Sequence, residues 1–587
     1  MATIANSKSF VPLIASTLLF SILVLLQKPS ACEIIESTFL GGAGDDGIGV
    51  ELPIDVAVGI DGNIIIAATT TSTDFEALSG YHSWGPGGGS DVIVATLDPE
   101  LSQVLAVAII GGSDEESGVA LAISSTGQVC VVTNTFSADY PTTAGAYSRV
   151  RSAGTDFAVS VLSSDLTDLE ASSYFGGPGY ETQPDIAVDQ NDQIFLSGLV
   201  ASSEFPTTTG AYSRSLSGGA DFFISKLSND LSVLLASTYL GGSFAEGFPT
   251  IAINGLGEVV ISGRSESDDY PVTSGAYDES FSGPPAPGQD LQDMVVSKLS
   301  GDLTALLAST FAGGPMYDGA LFTAVDPDGN IVVTGHSASP DYPVTAGCYD
   351  VVHNGVNEMF ISKFNPDLSV LIASTFMTPL DLGMGDATFG TGLSCDDNGN
   401  ILYTGVAWGT EMPTTDNAYD SEFNGGMTDG MAFLFTPDLS RLIYASYLGG
   451  SGSDLYVVGC AQADGSLILA GNTESSDFPT TSGAYDESYS GGSTDLFISK
   501  FDYNCVTGCC GIYTGGITGN ANCSEDGKVT LSDITQLIDR VYISKTELCC
   551  EKNGNTNGDV DGLITLGDIT RLIDYVYISR EETAACE

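Results

Sequence analysis

Two segments near the C-terminus carry oxygen-bearing side chains at the spacing of a calcium loop. They read NANCSEDGKVTLSD from Asn520 and NTNGDVDGLITLGD from Asn555. A calcium loop uses oxygen ligands at positions 1, 3, 5, 9 and 12, the backbone carbonyl of position 7 and a glycine at position 6. The expected ligands are Asn522, Ser524, Asp526, Lys528 (carbonyl), Thr530 and Asp533 in the first loop, and Asn557, Asp559, Asp561, Leu563 (carbonyl), Thr565 and Asp568 in the second. The pattern predicts two bound calcium ions; the alternative, Asx turns that imitate such loops, requires two accidental copies.

The two loops differ in charge. The first offers the carboxylates of Asp526 and Asp533, whereas the second offers those of Asp559, Asp561 and Asp568. Because affinity for calcium rises with the number of charged ligands, we expect the second loop to bind more tightly.

Each loop is followed by apolar residues at helical spacing, which predicts a helix with one buried face. Loop and helix, duplicated and with Asp at position 12, resemble a dockerin type I module, although Asn at position 1 departs from the usual pattern. The resemblance implies binding to a cohesin-like protein on another chain, or attachment to a cell-surface component. The positions that would meet such a partner are Leu531, Ser532, Gln536, Arg540, Leu566, Gly567, Arg571 and Tyr575, which are not the usual Ser-Thr pairs. The module could equally dock on the rest of its own chain.

Outside this tail, the residues suited to catalysis are few or widely repeated. The only histidines are His82, His336 and His353, and no zinc-protease, nucleophile-elbow or phosphate-loop motif is present. A recurring acid occurs at Asp91, Asp156, Asp221, Asp293, Glu358, Asp429 and Asp495. Sevenfold recurrence favours a structural role, with a ring of cation ligands as the alternative, because a catalytic residue is needed only once. A glycosidase or lyase pair of carboxylates stays open.

The recurring acids belong to an internal repeat of about 65 to 72 residues. Its glycine doublets are Gly41-Gly42, Gly111-Gly112, Gly176-Gly177, Gly241-Gly242, Gly313-Gly314 and Gly449-Gly450. A second landmark, a GAY-like triplet, ends at Tyr81, Tyr147, Tyr212, Tyr277, Tyr349, Tyr419 and Tyr485. Six doublets are present, and the gap between the last two spans two repeats, so the sixth unit lacks its doublet. With that unit counted, the doublets agree with the seven tyrosines and give seven units.

Each unit contains four short β-rich segments, such as LLASTYLGG, PTIAING, EVVISGRS and DFFISKLS, separated by turn residues. Four-stranded units in series predict a ring, which leaves only short exposed edges. The set STYLGG, IAING, EVVISGRS and DYPVTSGAY resembles the bacterial seven-bladed β-propeller repeat (SBBP) family. The whole chain is therefore predicted to be an all-β, seven-bladed β-propeller of four-stranded blades, followed by a small α-helical domain of duplicated calcium loops.

The order of the segments predicts how the ring closes. Passages such as FISKLSNDLSVLLASTYL read as hairpins around an Asn-Asp turn, so the last strand of each unit should pair with the first strand of the next. The first unit has no predecessor. We therefore expect the strand near Phe497 to Phe501 to pair antiparallel with the strand near Ile34 to Leu40.

Composition and the N-terminal segment point to the outside of the cell. Residues 1–31 resemble a signal peptide, and cleavage there would leave Cys32 first, so a lipid anchor is the alternative to a soluble secreted protein. No later segment is predicted to span a membrane. The 75 acidic and 17 basic residues give a net charge of −58, which excludes nucleic acid as a partner. Seven of the twelve cysteines lie after residue 502 and suggest disulfides in the tail.

These observations divide the chain into a signal peptide (1–31), a propeller (32–502), a linker (503–518), the dockerin-like module (519–580) and a tail (581–587). One hypothesis is a non-catalytic, monomeric propeller that presents loops for protein or glycan binding and is attached through its calcium-dependent tail. The other is a carbohydrate-active enzyme, a glycoside hydrolase or lyase, recruited through that tail. SGPPAPGQDLQD in the fourth unit and HSWGPGGG in the first are candidate functional loops, because they depart from the consensus of the repeat. Trp84 and Trp408 are candidate stacking faces for sugars, with ordinary packing as the alternative.

Overall fold

The fold consists of seven antiparallel sheets arranged in a ring. The computed structural model describes residues 32–49, 51–75, 78, 80–85, 87–282, 291–354, 357–379, 390–410, 412–462 and 464–503. These residues form strands and loops only, and none of them belongs to a helix long and apolar enough to cross a membrane. The predicted helical calcium-loop module lies outside the described residues.

Each sheet is one blade, and its strands follow one another in chain order from the inside to the outside, except that β1 lies outside blade 7 and β4 outside blade 1. Blades 1 to 3 contain, in that order, β2 (Ile54–Val58), β3 (Ile64–Thr70), β5 (Asp91–Leu97) and β6 (Val104–Ile110); β7 (Glu116–Ile123), β8 (Val129–Thr135), β9 (Asp156–Leu162) and β10 (Leu169–Phe175); β11 (Glu181–Val188), β12 (Ile194–Val200), β13 (Asp221–Leu227) and β14 (Leu234–Leu240). Blades 4 to 6 contain β15 (Glu246–Ile253), β16 (Val259–Ser265), β17 (Asp293–Leu299) and β18 (Leu306–Ala312); β19 (Asp318–Val325), β20 (Ile331–Ser337), β21 (Glu358–Phe364) and β22 (Leu371–Pro379); β23 (Gly390–Cys395), β24 (Ile401–Ala407), β25 (Asp429–Phe435) and β26 (Leu442–Leu448). Blade 7 contains β27 (Asp454–Ala461), β28 (Ser466–Thr473), β29 (Asp495–Asp502) and, on its outside, β1 (Ile34–Leu40).

The blades close into a circle around a central axis. The first strands of neighbouring blades contact one another in the cycle β2, β7, β11, β15, β19, β23, β27 and back to β2. Seven hydrophobic clusters fill the spaces between blades, and each draws its side chains from two adjacent blades. The predicted seven-bladed propeller of four-stranded blades is therefore confirmed, and its core is distributed among the blade interfaces.

The predicted closure of the ring is also confirmed. Strand β1 pairs antiparallel with β29, in a register that joins Ile34 to Phe501 and Leu40 to Leu496. The ring of Phe39 in β1 lies 6.1 Å from that of Phe478 and 6.0 Å from that of Tyr489, both in blade 7. The N-terminal strand thus completes the last blade, and every sequence repeat is offset from its blade by one strand.

In the hairpin turns between the third and fourth strands, a left-handed residue follows the two central turn residues, which in blade 3 are the predicted Asn229 and Asp230. The left-handed residue is a leucine in six turns, with φ between 49° and 57°, at Leu101, Leu166, Leu231, Leu303, Leu368 and Leu439. Left-handed backbone costs an L-residue about 1–2 kcal/mol, but each of these side chains is fully buried. The carbonyl of Leu231 also accepts the N–H of Tyr147 from the preceding blade at 2.7 Å, and four other GAY-type tyrosines make the equivalent bond. The leucine turn is therefore a joint between blades.

The loop between the second and third strands covers the outer edge of its blade. In blade 3, Thr208 donates its N–H to the carbonyl of Ser237 on the outermost strand β14, and five other blades repeat this bond. Blade 1 lacks the proline of this loop and instead forms a fifth strand, β4 (Tyr81–Trp84), which pairs parallel with β6. Both arrangements protect an edge that could otherwise pair with another chain.

Candidate functional site

Two kinds of loop lie at one end of the ring, which we call the loop face. It contains the loops between the second and third strands and the loops that connect the outermost strand of one blade to the innermost strand of the next. The predicted calcium ligands, from Asn522 to Asp568, and the predicted partner-facing residues, from Leu531 to Tyr575, lie outside the described residues. All the residues described on the loop face therefore belong to the propeller.

The recurring acids begin the third strand of each blade, where they anchor the preceding loop. Asp221 accepts the N–H of Ser217 at 2.8 Å and that of Gly218 at 3.1 Å. The corresponding acids at Asp156, Asp293, Glu358, Asp429 and Asp495 also accept a loop N–H. Such repeated loop anchors fit the structural role expected from sevenfold recurrence.

At five of the seven recurring acids, a second acid from the next blade faces the anchor across a glycine. A Cβ placed on Gly241 would lie 2.7 Å from Oδ1 of Asp221 and 2.5 Å from Oε2 of Glu246. The first glycine of the doublets at Gly111, Gly176, Gly313 and Gly449 is crowded by a carboxylate pair in the same way. The doublet therefore recurs because any side chain at its first position would collide with two buried carboxylates.

These pairs are protonated more readily than isolated acids. Burial, assisted by the nearby Asp156, raises the pKa of Glu181 to about 8. Burial likewise raises the pKa of Glu246 to about 7 and that of Asp495 to about 7. Among the described residues, no group of three or more acidic, histidine or cysteine side chains could hold a metal ion. We interpret the raised pKa values as one proton held within the pair, and the repetition of such pairs around the ring argues against a catalytic dyad.

Two further buried acids bind the innermost strands to one another. Asp55 accepts the N–H of Leu121 from blade 2 at 2.8 Å, and Asp185 accepts that of Ile251 from blade 4 at 2.8 Å. Burial raises the pKa of Asp55 to about 6 and that of Asp185 to about 7. These acids close gaps between blades and are not candidates for ligand binding.

The repeat is broken most clearly near the axis, between blades 4 and 5. Arg264, at the end of β16, donates through Nη1 to the hydroxyl of Tyr317 at 2.9 Å. Its guanidinium carbon lies 4.4 Å from the ring centre of Phe248 and 5.7 Å from that of Tyr317. The three side chains are partly exposed. We call Arg264, Tyr317, Phe248 and His336 the axial cluster.

The local backbone makes room for this arginine. Phe248 occupies a bulge of β15 with φ of 55°, and its N–H donates to Oε1 of Gln183 at 2.8 Å. A Cβ on Gly247 would lie 2.9 Å from Nε of Arg264, and one on Gly319 would lie 3.0 Å from the Tyr317 hydroxyl. The two glycines leave room for the cluster, whereas the left-handed bulge recurs at Gly118, Gln183 and Tyr456 in other innermost strands.

The arginine of the axial cluster has no acidic partner, as is also true of Arg149, Arg151, Arg214 and Arg441 among the described residues. Within the described residues, the ion pairs are made by Lys226, Lys298 and Lys363, and no carboxylate lies within 4.0 Å of Arg264. His336 is buried, and burial together with Arg264 lowers its pKa to about 4, so its imidazole is neutral at pH 7. The cluster therefore combines a cation without a countercharge, a phenol, an aromatic face and a neutral imidazole.

Sequence reasoning did not identify this cluster. The position of Arg264 carries Asn134, Leu199 or Asn472 in other units, so an arginine there is a departure from the repeat that an internal alignment could have detected. The predicted aromatic candidates are placed elsewhere: Trp84 is partly buried and its ring lies 5.9 Å from that of His82 in blade 1.

Several solved structures resemble this chain at low sequence identity. No protein-family model matches the chain, and no curated protein matches it. Solved structures that resemble it include an ulvan lyase of polysaccharide lyase family PL25, at 11% identity and a TM-score of 0.37, covering 78% of this chain and 97% of that chain. The polysaccharide lyase Uly1 has 9% identity and a TM-score of 0.39, covering 81% and 98%. A protein of unknown function from Dyadobacter fermentans has 9% identity and a TM-score of 0.38, covering 80% and 99%.

Proposed function

We propose that this protein is an exported, non-catalytic propeller that binds an acidic glycan at the axial cluster on its loop face. The observation that carries the proposal is the guanidinium of Arg264, which is held between Phe248 and Tyr317 with no carboxylate within 4.0 Å among the described residues. A planar guanidinium matches a carboxylate or sulfate group through two parallel hydrogen bonds.

The surroundings of the cluster suit a sugar chain. The loops that lead into β15 and β19 expose Phe244 and Met316, whose side chains are 54% and 45% accessible. Apolar faces beside a few fixed polar groups are typical of ligand sites. The net charge of −58 does not prevent such binding, because distant charges are screened beyond about 8 Å at physiological salt, whereas a contact pair is not.

The proposal is tested by calorimetric titration of the full chain with a galacturonate tetramer and with a neutral galactose tetramer. We expect the acidic ligand to bind and the neutral one not to bind. Arg264→Gln should weaken binding by about tenfold or more, which corresponds to about 1.4 kcal/mol, and the exposed Arg214→Gln should leave it unchanged. Equal binding by both arginine variants would remove the proposed site.

Attachment through the tail forms part of the same proposal. Residues 519–580 would act as a dockerin-like, calcium-dependent module that binds a cohesin-like protein or another cell-surface component. Burial of Cys32, whose N–H donates to the carbonyl of Asn417 at 2.9 Å, favours a secreted protein over a lipid anchor. Capture of surface proteins by the full chain should depend on calcium, and capture that is insensitive to chelator would contradict this role.

A second candidate function is a lyase or glycoside hydrolase that acts at the same cluster. What favours it is the neutral imidazole of His336 in one cluster with a phenol and a guanidinium, since general acid–base catalysis uses such groups. The test is release of new reducing ends from acidic polysaccharides by the full chain, compared with His336→Gln. Release by the wild type and its loss in the variant would replace the binding function with catalysis.

A further inference from the structure

One loop position on the loop face separates blade 2 from its neighbours. In six blades, the N–H of a Ser or Asn donates to the recurring acid that begins the third strand, and the position in question is the residue directly before that Ser or Asn. The shared hydrogen bond identifies the equivalent residue in each of these blades. In five of them it is an aliphatic or ring side chain: Leu216, Phe281, His353, Phe423 and Tyr489. In blade 2 it is Arg151. We call this residue the plug.

The plug normally covers the aromatic side chain of the outermost strand. The rings of Phe281 and Phe311 are 5.8 Å apart in blade 4, and those of Phe423 and Tyr447 are 6.2 Å apart in blade 6. His353 lies 5.3 Å from Phe376 in blade 5. An aromatic or imidazole ring therefore fills the same place in blades 4, 5 and 6.

In blade 2 this place is open. Arg151 donates through Nη1 to the carbonyl of Gly154, and a cavity of about 330 Å³ borders Tyr174, the outermost-strand aromatic residue of this blade. Its volume is at the lower end of the range for small-molecule sites. The cavity therefore borders the outermost-strand aromatic residue that a side-chain ring contacts in blades 4, 5 and 6.

The walls of the cavity are those of a sugar site. Polar groups come from Ser148, Ser152, Asp156 and Glu204, and the partly exposed ring of Tyr147 provides an apolar face. Among the described residues, Oδ1 of Asp156 is buried without a hydrogen-bond partner, as are the equivalent oxygens of Asp91, Asp293, Asp429 and Asp495. Sugar hydroxyl groups can donate to the carboxylates and can both donate to and accept from the serine hydroxyls of the cavity. The two carboxylates would repel an acidic sugar.

We propose that this cavity binds one pyranose ring of a neutral glycan, in the place that a side-chain ring occupies in the other blades. It is a second binding site, between blades 2 and 3, and it does not depend on the axial cluster. An acidic unit at Arg264 and a neutral unit here would require a mixed glycan if both sites act on one chain.

The test uses saturation-transfer NMR on the full chain with the methyl pyranosides of glucose, galactose, mannose and rhamnose. We expect at least one to bind in the millimolar range. Arg151→Phe restores the plug and should abolish binding, whereas Leu216→Phe, the same position in blade 3, should not affect it. Tyr147→Ala should weaken binding by about tenfold through loss of an apolar face.

Two outcomes would overturn the proposal: no binding of any of the four glycosides at about 50 mM, or binding that is unchanged in Arg151→Phe. Arg264→Gln separates the two sites, since it should reduce binding of the acidic tetramer and leave the neutral glycoside unaffected. Fluorescence of Trp84 and Trp408, the only tryptophans and both in the propeller, reports whether each variant is folded.

Discussion

Replacing Glu181 by glutamine should stabilise the propeller at neutral and alkaline pH. Burial and the nearby Asp156 raise the pKa of Glu181 from 4.5 to about 8. Between those two values the folded state holds a proton that the unfolded state has released, so stability falls as pH rises through this window. At about 1.4 kcal/mol for each pKa unit, the loss is of the order of 3 kcal/mol at pH 7. The glutamine amide keeps a donor for Asp156 and removes the titration.

The assay is urea unfolding followed by tryptophan fluorescence, because both tryptophans lie in the propeller. We expect Glu181→Gln to raise the free energy of unfolding by about 1–3 kcal/mol at pH 8 and by less than about 0.5 kcal/mol at pH 4, where both states are protonated. Glu100→Gln, at an exposed turn, is the matched control. If Glu181→Gln destabilised the protein at pH 8, or left the slope of stability with pH unchanged, the shared-proton interpretation of the junction would be wrong.

Three other perturbations test separate parts of the fold and tail. Phe39→Ala should cost about 3–5 kcal/mol in urea unfolding because it removes a buried ring from the closing strand, whereas Ile35→Ala, 43% exposed on the same strand, should cost under about 1 kcal/mol; equal costs would count against closure through this strand. Gly241→Ala should lower the melting temperature because its Cβ would meet two carboxylates, and Gly255→Ala, which has open space, should not. Asp568→Ala should abolish the tighter of two calcium-binding events in calorimetry; two unchanged events would exclude the second loop.

The sequence predicted those features of the fold that depend on local patterns. Period, strand count and the pairing of β1 with β29 follow from alternating apolar residues and from the order of the repeats. The left-handed leucines could not be predicted, because their strain is offset by burial and by a bond from the neighbouring blade. The recurring acids were recognised, but their partners were not, since the second acid of each pair belongs to a different blade. An alignment of the repeats compares equivalent positions and does not predict which residues of neighbouring blades are in contact.

The two candidate sites were not predicted because their key residues do not recur. Arg264 and Arg151 have no arginine at the equivalent position of another blade, so the repeat pattern does not include them. Their significance comes from what other blades carry at the same position, and from contacts with Tyr317 or Gly154 that only the folded chain brings together. Departures from an internal repeat, aligned blade by blade, are therefore the signal that could have identified them.

The most direct test of the proposed function is a crystal structure of the full chain with a galacturonate tetramer. We expect a sugar carboxylate within hydrogen-bond distance of the Arg264 guanidinium, with a sugar face against Phe248 or Tyr317. A tetramer bound away from the axial cluster, or an Arg264 paired with a carboxylate of its own chain, would contradict it.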